Sequence, residues 1–398
     1  MIKLEKDNAR VVFVHFHDYL FPIPRVHIMA EGLNKLGYDV NVIYISDRKS
    51  FKENIRGVTI WNAAFSIGNM SNVDSKKNIS FFLKLRKNIA KILFYLNPSL
   101  VQVFSPLLIP LVVKLKSEIK FKLVYDCYEP WIHGPLASRK YHTSILCYAI
   151  HKLYVKYLDA VIFVYMGNPI VNYIPKSCPT VWIPNYMKQE YIPESKTEYL
   201  REKLFSENDF IIGYLGVITK FKGYETAIRS LKHLDKNYKL LIVGDAFDMQ
   251  LKKKLQDIIK EIEIQDDKRI HFTGHISSFR EAMEFASIID VGLMLAENTY
   301  WQRYTLPAKL FDYMCLGVPI IASDLPNFRN FFNNYNCGCL VPPGDVERLS
   351  NSIIYLNKNS ILRQKLSATN KQNFLNNFSE IKQLNKLKIL YNDLLQRQ

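Results

Sequence analysis

The sequence predicts an α/β protein of two doubly wound domains facing a cleft, on three observations. Short apolar runs of strand length alternate with segments of helical periodicity through most of the chain. The alternation pauses at a polar, Lys- and Glu-rich connector, Lys188 to Lys203, and restarts at Phe210. A chain of 398 residues is also too long for one hydrophobic core.

In the first half, Val11–Phe16 reads as a buried strand, Val26 to Leu36 as an amphipathic helix ended by Gly37, and Val40–Ile45 as a second strand. This βαβ opening favours a parallel sheet. Val101–Phe104, Lys122–Tyr125, Ala160–Val164 and Thr180–Ile183 continue the strands, and Pro184-Asn185 closes the half. In the second half the strands are Phe210–Leu215, Lys239–Val243, Ile270–Thr273, Asp290–Met294, Pro319–Ala322 and Gly338–Val341. Helices fall near Tyr224–Leu234, Asp248–Glu263, Ser278–Ala286, Ala308–Leu316 and Val346–Leu356, with a terminal helix from Ile381. The domains are therefore placed at 1–187 and 188–378, with the C-terminal helix 379–398 able to pack back on the first. In such folds ligands bind at the C-terminal ends of the strands.

Composition narrows the partners. No uncharged apolar run reaches the roughly 18–20 residues that span a bilayer, and Val11 to Phe21 carries His15, His17 and Asp18, unlike a signal peptide. A cytoplasmic protein is expected. The six cysteines are scattered without zinc-ligand spacing, so no metal site is expected. The net charge of +16 is uneven: residues 1–200 hold 26 Lys/Arg against 15 Asp/Glu. Between Lys76 and Lys122 stand ten basic residues and one acid, Glu118, a patch suited to an anionic membrane, a nucleic acid or a phosphorylated substrate. No reader motif or aromatic stacking platform for nucleic acid accompanies it.

The stretch from Leu306 to Ser323 carries the most chemistry. It reads as a short helix opening on Pro307 and stopping at Gly317, followed by a strand. Lys309 and Asp312 share one face of that helix. Its N-terminus suits an anion, and a carboxylate one turn in suits a sugar diol. Upstream, a strand ends in Gly216 and a loop carrying Lys220, Lys222 and Gly223 leads to a helix, a plausible phosphate cradle. An ordinary surface helix and solvated lysines remain the plain alternatives. The spacing is neither G-x-G-x-x-G nor Walker A.

Several pieces in order resemble the large retaining glycosyltransferase family four, of GT-B fold. They are Gly216…Lys222-Gly223, Leu241-Ile-Val-Gly244, His271-Phe-Thr-Gly274, Asp290-Val-Gly-Leu, Pro307-x-Lys309-x-x-Asp312-Tyr-Met and Gly317-Val-Pro-Ile-Ile-Ala-Ser323, with Val181-Trp-Ile-Pro-Asn185 and Lys122-Leu-Val-Tyr-Asp126 upstream. The resemblance implies sugar transfer, with retention, from a nucleotide-sugar donor such as a UDP- or GDP-sugar to a glycan or lipid-linked acceptor. The expected setting is bacterial surface-polysaccharide assembly at the inner face of the membrane. The second domain would hold the donor and the first the acceptor. Lys222 would hold the diphosphate, with Gly216, Lys220, Gly223 and the helix opened by Pro307 and Lys309. Asp312 would accept the ribose hydroxyls, and the backbone at Gly274–Ile276 would meet the base. The leaving phosphate would deprotonate the acceptor, so neither a protein nucleophile nor a metal cofactor is required.

The chain departs from the family pattern in four places. Val217 stands where an Arg is usual, leaving Lys220 as the nearest substitute. Asp312 and Tyr304 stand where two glutamates are usual, and Glu297 or Arg303 could reach the sugar instead. Val101-Gln-Val-Phe104 replaces a histidine pair, and the first loop reads Asp18-Tyr-Leu-Phe-Pro-Ile-Pro-Arg25. These departures keep open a catalytically weakened GT-B scaffold, and charge alone keeps open a basic nucleic-acid binder.

On the acceptor side, Asp126 and Glu129, with Tyr128 and His133, follow a strand on the face expected to meet the cleft, Asp126 as a catalytic candidate. His17 ends the first strand and could line the same region. The alternative is a set of loop residues capping the next helix. Ile79 to Leu96 has helical period: Phe82, Leu85, Ile89, Ile92 and Leu96 form one stripe, and Lys84, Lys87 and Lys91 another. That pattern fits either a membrane-facing amphipathic helix or a core helix with a solvated face.

Overall fold

Apolar residues on both faces of most strands require helices on both sides of each sheet. The computed structural model describes residues 9–16, 24–46, 49–63, 75–129, 131, 141–164, 172–246, 248–262 and 269–397, of which side chains are described from residue 84 in the segment that begins at 75. The chain divides into two units, Met1–Pro184 with Gln383–Gln398, and Asn185–Lys382.

The first unit contains β1 (Arg10–His15), α1 (Pro24–Lys35), β2 (Asp39–Tyr44), β3 (Lys52–Ile55), β4 (Val58–Asn62), α2 (Ser75–Leu96), β5 (Leu100–Val103), α3 (Ile109–Lys116), β6 (Lys122–Cys127), α4 (Tyr141–Tyr154), β7 (Ala160–Phe163) and β8 (Thr180–Trp182). The sheet order is β3-β4-β2-β1-β5-β6-β7-β8. All pairs are parallel except β3 with β4. This hairpin is absent from the sequence reading, because Lys52–Ile55 is charged and exposed and offers no apolar run. Alternation along the strands divides the two faces. Val12, Val14, Val101, Val103, Leu123 and Tyr125 pack with the inner residues of α2, α3 and α4. Gln102 and Asp126 point to the opposite face, toward α1.

The second unit contains α5 (Glu198–Leu204), β9 (Phe210–Leu215), α6 (Tyr224–Ser230), β10 (Tyr238–Val243), α7 (Met249–Glu261), β11 (Ile270–Phe272), α8 (Phe279–Ser287), β12 (Val291–Met294), α9 (Lys309–Leu316), β13 (Ile320–Ser323), α10 (Pro326–Tyr335), β14 (Gly338–Val341), α11 (Val346–Lys358) and α12 (Ser360–Asn373). Its sheet is parallel throughout, in the order β11-β10-β9-β12-β13-β14. Helix α9 ends at Gly317, whose φ of +72° closes a left-handed cap that a side chain would strain.

The last helix, α13 (Glu380–Gln396), returns to the first unit. Tyr391 donates a hydrogen bond to Gln102, Tyr38 donates to Asn392 at 3.1 Å, and Leu384 covers Gly32. Among the described residues, no helix is long and apolar enough to cross a membrane.

Candidate active site

In the second unit the strand order reverses between β9 and β12. Loops leaving the C-terminal ends of such strands diverge and open a crevice. The loop after β9 runs from Gly216 to Gly223 and feeds α6, and the segment after β12 leads through Trp301–Arg303 to α9. Tyr214, fully buried, shares its hydroxyl proton between the carbonyls of Lys222 and Leu295, the latter at 2.9 Å, and so ties the two segments together. Tyr313 of α9 donates to Gly213 O at 3.0 Å and accepts from Leu215 N at 3.1 Å, which fixes α9 against the end of β9.

Three charged side chains converge on this frame. The Lys222 ammonium lies 3.4 Å from Gln302 Oε1 and 5.1 Å from the Trp301 ring centroid. Gln302 is buried and donates to Phe221 O at 3.2 Å, so its carboxamide is held in place. The Lys309 ammonium sits 3.7 Å above the Tyr214 ring, a cation–π contact. Burial pulls Lys309 well below the ordinary lysine range, the nearby charge of Lys222 adds to this, and Asp312 opposes it. Burial lifts Asp312 to about 7, against the opposing pull of Lys309. Two crowded ammonium groups next to a carboxyl that takes a proton near neutrality make a pocket short of negative charge. An anion entering it favours the charged form of both lysines.

The neighbouring strand ends complete the edge. Gly244, after β10, has φ +140°, and a Cβ there would lie 2.4 Å from Gly216 O, so only glycine permits this approach. Gly244 N donates to Thr273 Oγ1 at 3.0 Å, which brings the segment Thr273–Ile276 beside it. Ile276 is half-buried there, and Gly216 stands exposed with nothing within 4 Å of its Cβ position.

Two donor-side expectations change. Pro307 precedes the helix rather than opening it, because α9 starts at Lys309 with Ala308 as its cap; Pro307 supplies the carbonyl of the preceding turn to Leu310 N at 3.1 Å. Lys220 is exposed and paired with Asp248, the N-cap of α7, at 3.4 Å, so it is engaged outside the Lys222–Lys309 pair. Glu297 and Arg303 are exposed, and Arg303 donates to Asn298 at 2.8 Å. Tyr214, Trp301, Gln302 and Tyr313 escaped the sequence reading. The alternation that aims Tyr214 inward from its strand was legible, but its role beneath Lys309 was not.

In the first unit the expectation for Asp126 is corrected. Its side chain is fully buried and receives two hydrogen bonds from Arg25, at 3.0 and 3.1 Å, and one from Gln102 at 3.2 Å. A carboxylate sealed in this way holds the fold and does not meet substrate. Glu129, two residues beyond β6, is exposed. His17 and His133 lie outside the described residues. The strand order reverses here too, between β1 and β5, and the ends of these strands gather an aromatic group: His15 Nε2 lies 3.2 Å from the Tyr128 hydroxyl, and Phe104 packs against both rings. Burial, with the charge of Glu129, raises the Tyr128 phenol well above its ordinary range, so it stays a hydrogen-bonding hydroxyl.

For α2 the correction concerns the apolar stripe alone. Lys84, Lys87 and Lys91 are exposed, but Leu85, Ile89 and Leu96, with Leu93, are buried in the core and unavailable to lipid.

Two units of parallel sheet and helix, each with a strand-order reversal, define a GT-B protein. Sucrose-phosphate synthase from Thermosynechococcus elongatus has the same fold, with a TM-score of 0.78 at 16% identity over 98% of this chain and 100% of that one. Anabaena Alr3699/HepE in complex with UDP-glucose superposes with a TM-score of 0.73 at 13% identity over 96% of this chain and 99% of that one. More particularly, residues 195–373 match the glycosyl transferases group 1 family. Phosphatidyl-myo-inositol mannosyltransferase of Mycobacterium leprae is 28% identical over 129 residues, 32% of this chain and 31% of that protein. The chain spans between 31% and 59% of the lengths of the curated relatives it matches.

Proposed function

We propose that this chain is a retaining glycosyltransferase that takes a nucleotide-sugar donor in its second unit. The observation that carries the reading is the convergence of Lys222, Lys309 and Asp312 at the reversal between β9 and β12, inside the stretch that matches the glycosyl transferases group 1 family. The donor diphosphate lies against Lys222 and Lys309 and the amides that open α9. The ribose hydroxyls donate to Asp312, and the base rests on the backbone near Ile276. A GT-B neighbour crystallised with UDP-glucose supports a donor of this kind.

In the proposed reaction the anomeric carbon–oxygen bond breaks toward the diphosphate, whose oxygen keeps the electron pair. The acceptor hydroxyl attacks the same face of the sugar and gives its proton to that phosphate oxygen. No protein nucleophile and no metal is required. The work of the site is to stabilise the charge that develops on the leaving group, for which Lys222 is the main fixed cation. The acceptor is a glycan or a lipid-linked sugar in surface-polysaccharide assembly. That a mannosyltransferase named for a phosphatidylinositol acceptor is among the relatives supports the lipid-linked form.

The test is a donor panel of UDP-, GDP- and ADP-sugars followed by thermal shift and by product release, with the anomeric configuration read by NMR. Stabilisation by one nucleotide sugar and an axial-from-axial product are expected. Inertness of the wild type and Lys222→Ala alike across the panel overturns the reading in favour of a binding protein.

A further inference from the structure

Exposed large apolar side chains are scattered over most of the molecule but concentrate at one place in the first unit. Helix α4 and the turn after it present Tyr141, Ile145, Leu146, Tyr148, Leu153 and Tyr157 to solvent, with Ile145 65% and Leu153 59% exposed. Isolated exposed apolar residues are ordinary, whereas a contiguous set marks a contact surface. Helices α2, α3 and α4 cover the same face of the sheet, α3 touching both neighbours. None of the three contains an aspartate or glutamate, while their exposed positions carry Lys84, Lys87, Lys91, Lys114 and Lys152. Lys156 follows, lying 5.1 Å from the Tyr157 ring centroid. From Trp131 to Gln189 the sequence has six Lys/Arg and a single acid, Asp159, which is held by Lys116 at 2.5 Å. Where α4 ends, a recess of about 210 Å³ opens, in which Lys122, Lys156 and Arg397 outnumber the one acid, Asp159.

We propose that this helix layer docks on an anionic phospholipid bilayer, with Ile145, Tyr148 and Leu153 entering the interface and the lysines meeting lipid headgroups. The pairing of apolar and aromatic side chains with a strongly basic surround, whose acids Glu118 and Asp159 are paired with Arg86 and Lys116, is what an interfacial surface requires. A protein partner of ordinary composition does not call for three neighbouring helices without one acid. The surface differs from the α2 stripe read from sequence, whose apolar side lies in the core. The proposal is independent of the donor-site reading.

The experiment is co-sedimentation of the full chain with vesicles of phosphatidylcholine alone and of phosphatidylcholine mixed with phosphatidylglycerol, at low and high salt. Binding to the mixed vesicles only, weakened by salt, is expected. Ile145→Ser with Tyr148→Ser, and separately Lys152→Glu with Lys156→Glu, should each lower partitioning at least about tenfold, since each basic residue near the surface contributes measurably. These side chains are solvent-facing, so an unchanged Tm certifies the fold of both variants. Equal binding to neutral vesicles, or partitioning unmoved by either pair, overturns the proposal. So does self-association abolished by Ile145→Ser, or DNA binding without vesicle binding.

Discussion

Arg25 grips Asp126 through two hydrogen bonds of 3.0 and 3.1 Å, both side chains buried and 101 residues apart in the chain. The same guanidinium donates to Pro184 O at 3.3 Å, so one side chain joins α1, β6 and the end of the first unit's sheet. Removing one partner of a buried pair strands the other charge, at a cost of about 3–5 kcal/mol. Asp126→Ala should destabilise the first unit by that order, read as a lower urea midpoint at unchanged m-value. Adding Arg25→Met should recover part of the loss. A double variant no more stable than Asp126→Ala would refute the pairing as the cause. Donor affinity in both variants should match wild type.

Lys222→Ala should leave the thermal unfolding profile intact and slow transfer by about 10²–10³-fold, the usual loss for one fixed donor to a developing anion. Steady-state product release with the cognate donor measures it. A loss smaller than threefold would assign the diphosphate to other groups.

Asp312 gives a pH signature. Its carboxyl titrates at about 7 in the fold against an ordinary 3.8. The folded protein therefore binds more protons than the unfolded chain between about pH 4 and 7. Stability lost to burying the charge grows as pH rises through that window, by up to about 4 kcal/mol. Asp312→Asn removes the titration, so the mutant should gain on wild type from pH 5 to pH 8 in urea midpoints measured without nucleotide. A constant difference across that range would refute the shift. Nucleotide-sugar affinity of the wild type should rise over the same window if, as proposed, the ionised carboxylate accepts from the ribose hydroxyls.

The two glycines at the crevice should behave unequally. Gly244→Ala forces a Cβ to 2.4 Å from Gly216 O at φ +140°, a backbone strain on the order of 1–3 kcal/mol plus a clash. Gly216→Ala meets nothing within 4 Å and carries only the strain of φ +104°. Thermal melts should rank Gly244→Ala below Gly216→Ala. The reverse order would show that the close approach is relieved cheaply.

Most strands are legible because β1, β9 and β10 are largely apolar runs that only a two-sided burial explains, and β5 and β6 interrupt theirs with the buried polar residues Gln102 and Asp126. The β3–β4 hairpin, α10 and α12 are not, since Lys52–Ile55 lacks an apolar face and Ser360–Asn373 buries only a few positions. At the site, Lys222, Lys309 and Asp312 stand out by their nearness to Gly223, Pro307 and Gly317, residues that punctuate local structure. Trp301 and Gln302 do not, because what they do depends on the loop 80 residues earlier that brings Lys222 to them. Asp126 misleads for the same reason: a carboxylate near the end of a strand reads as a site residue until Arg25 is seen to cover it.

The return of α13 to the first unit bears on the order of events at the ribosome. Gln102 waits for Tyr391, 289 residues later, before its bond can form. The second unit, residues 185–382, has every one of its strands synthesised before that helix emerges. The unit translated first is thus completed last, and until then Gln102 and the face of α1 at Gly32 lack the cover of α13 and are open to chaperones or to another nascent chain.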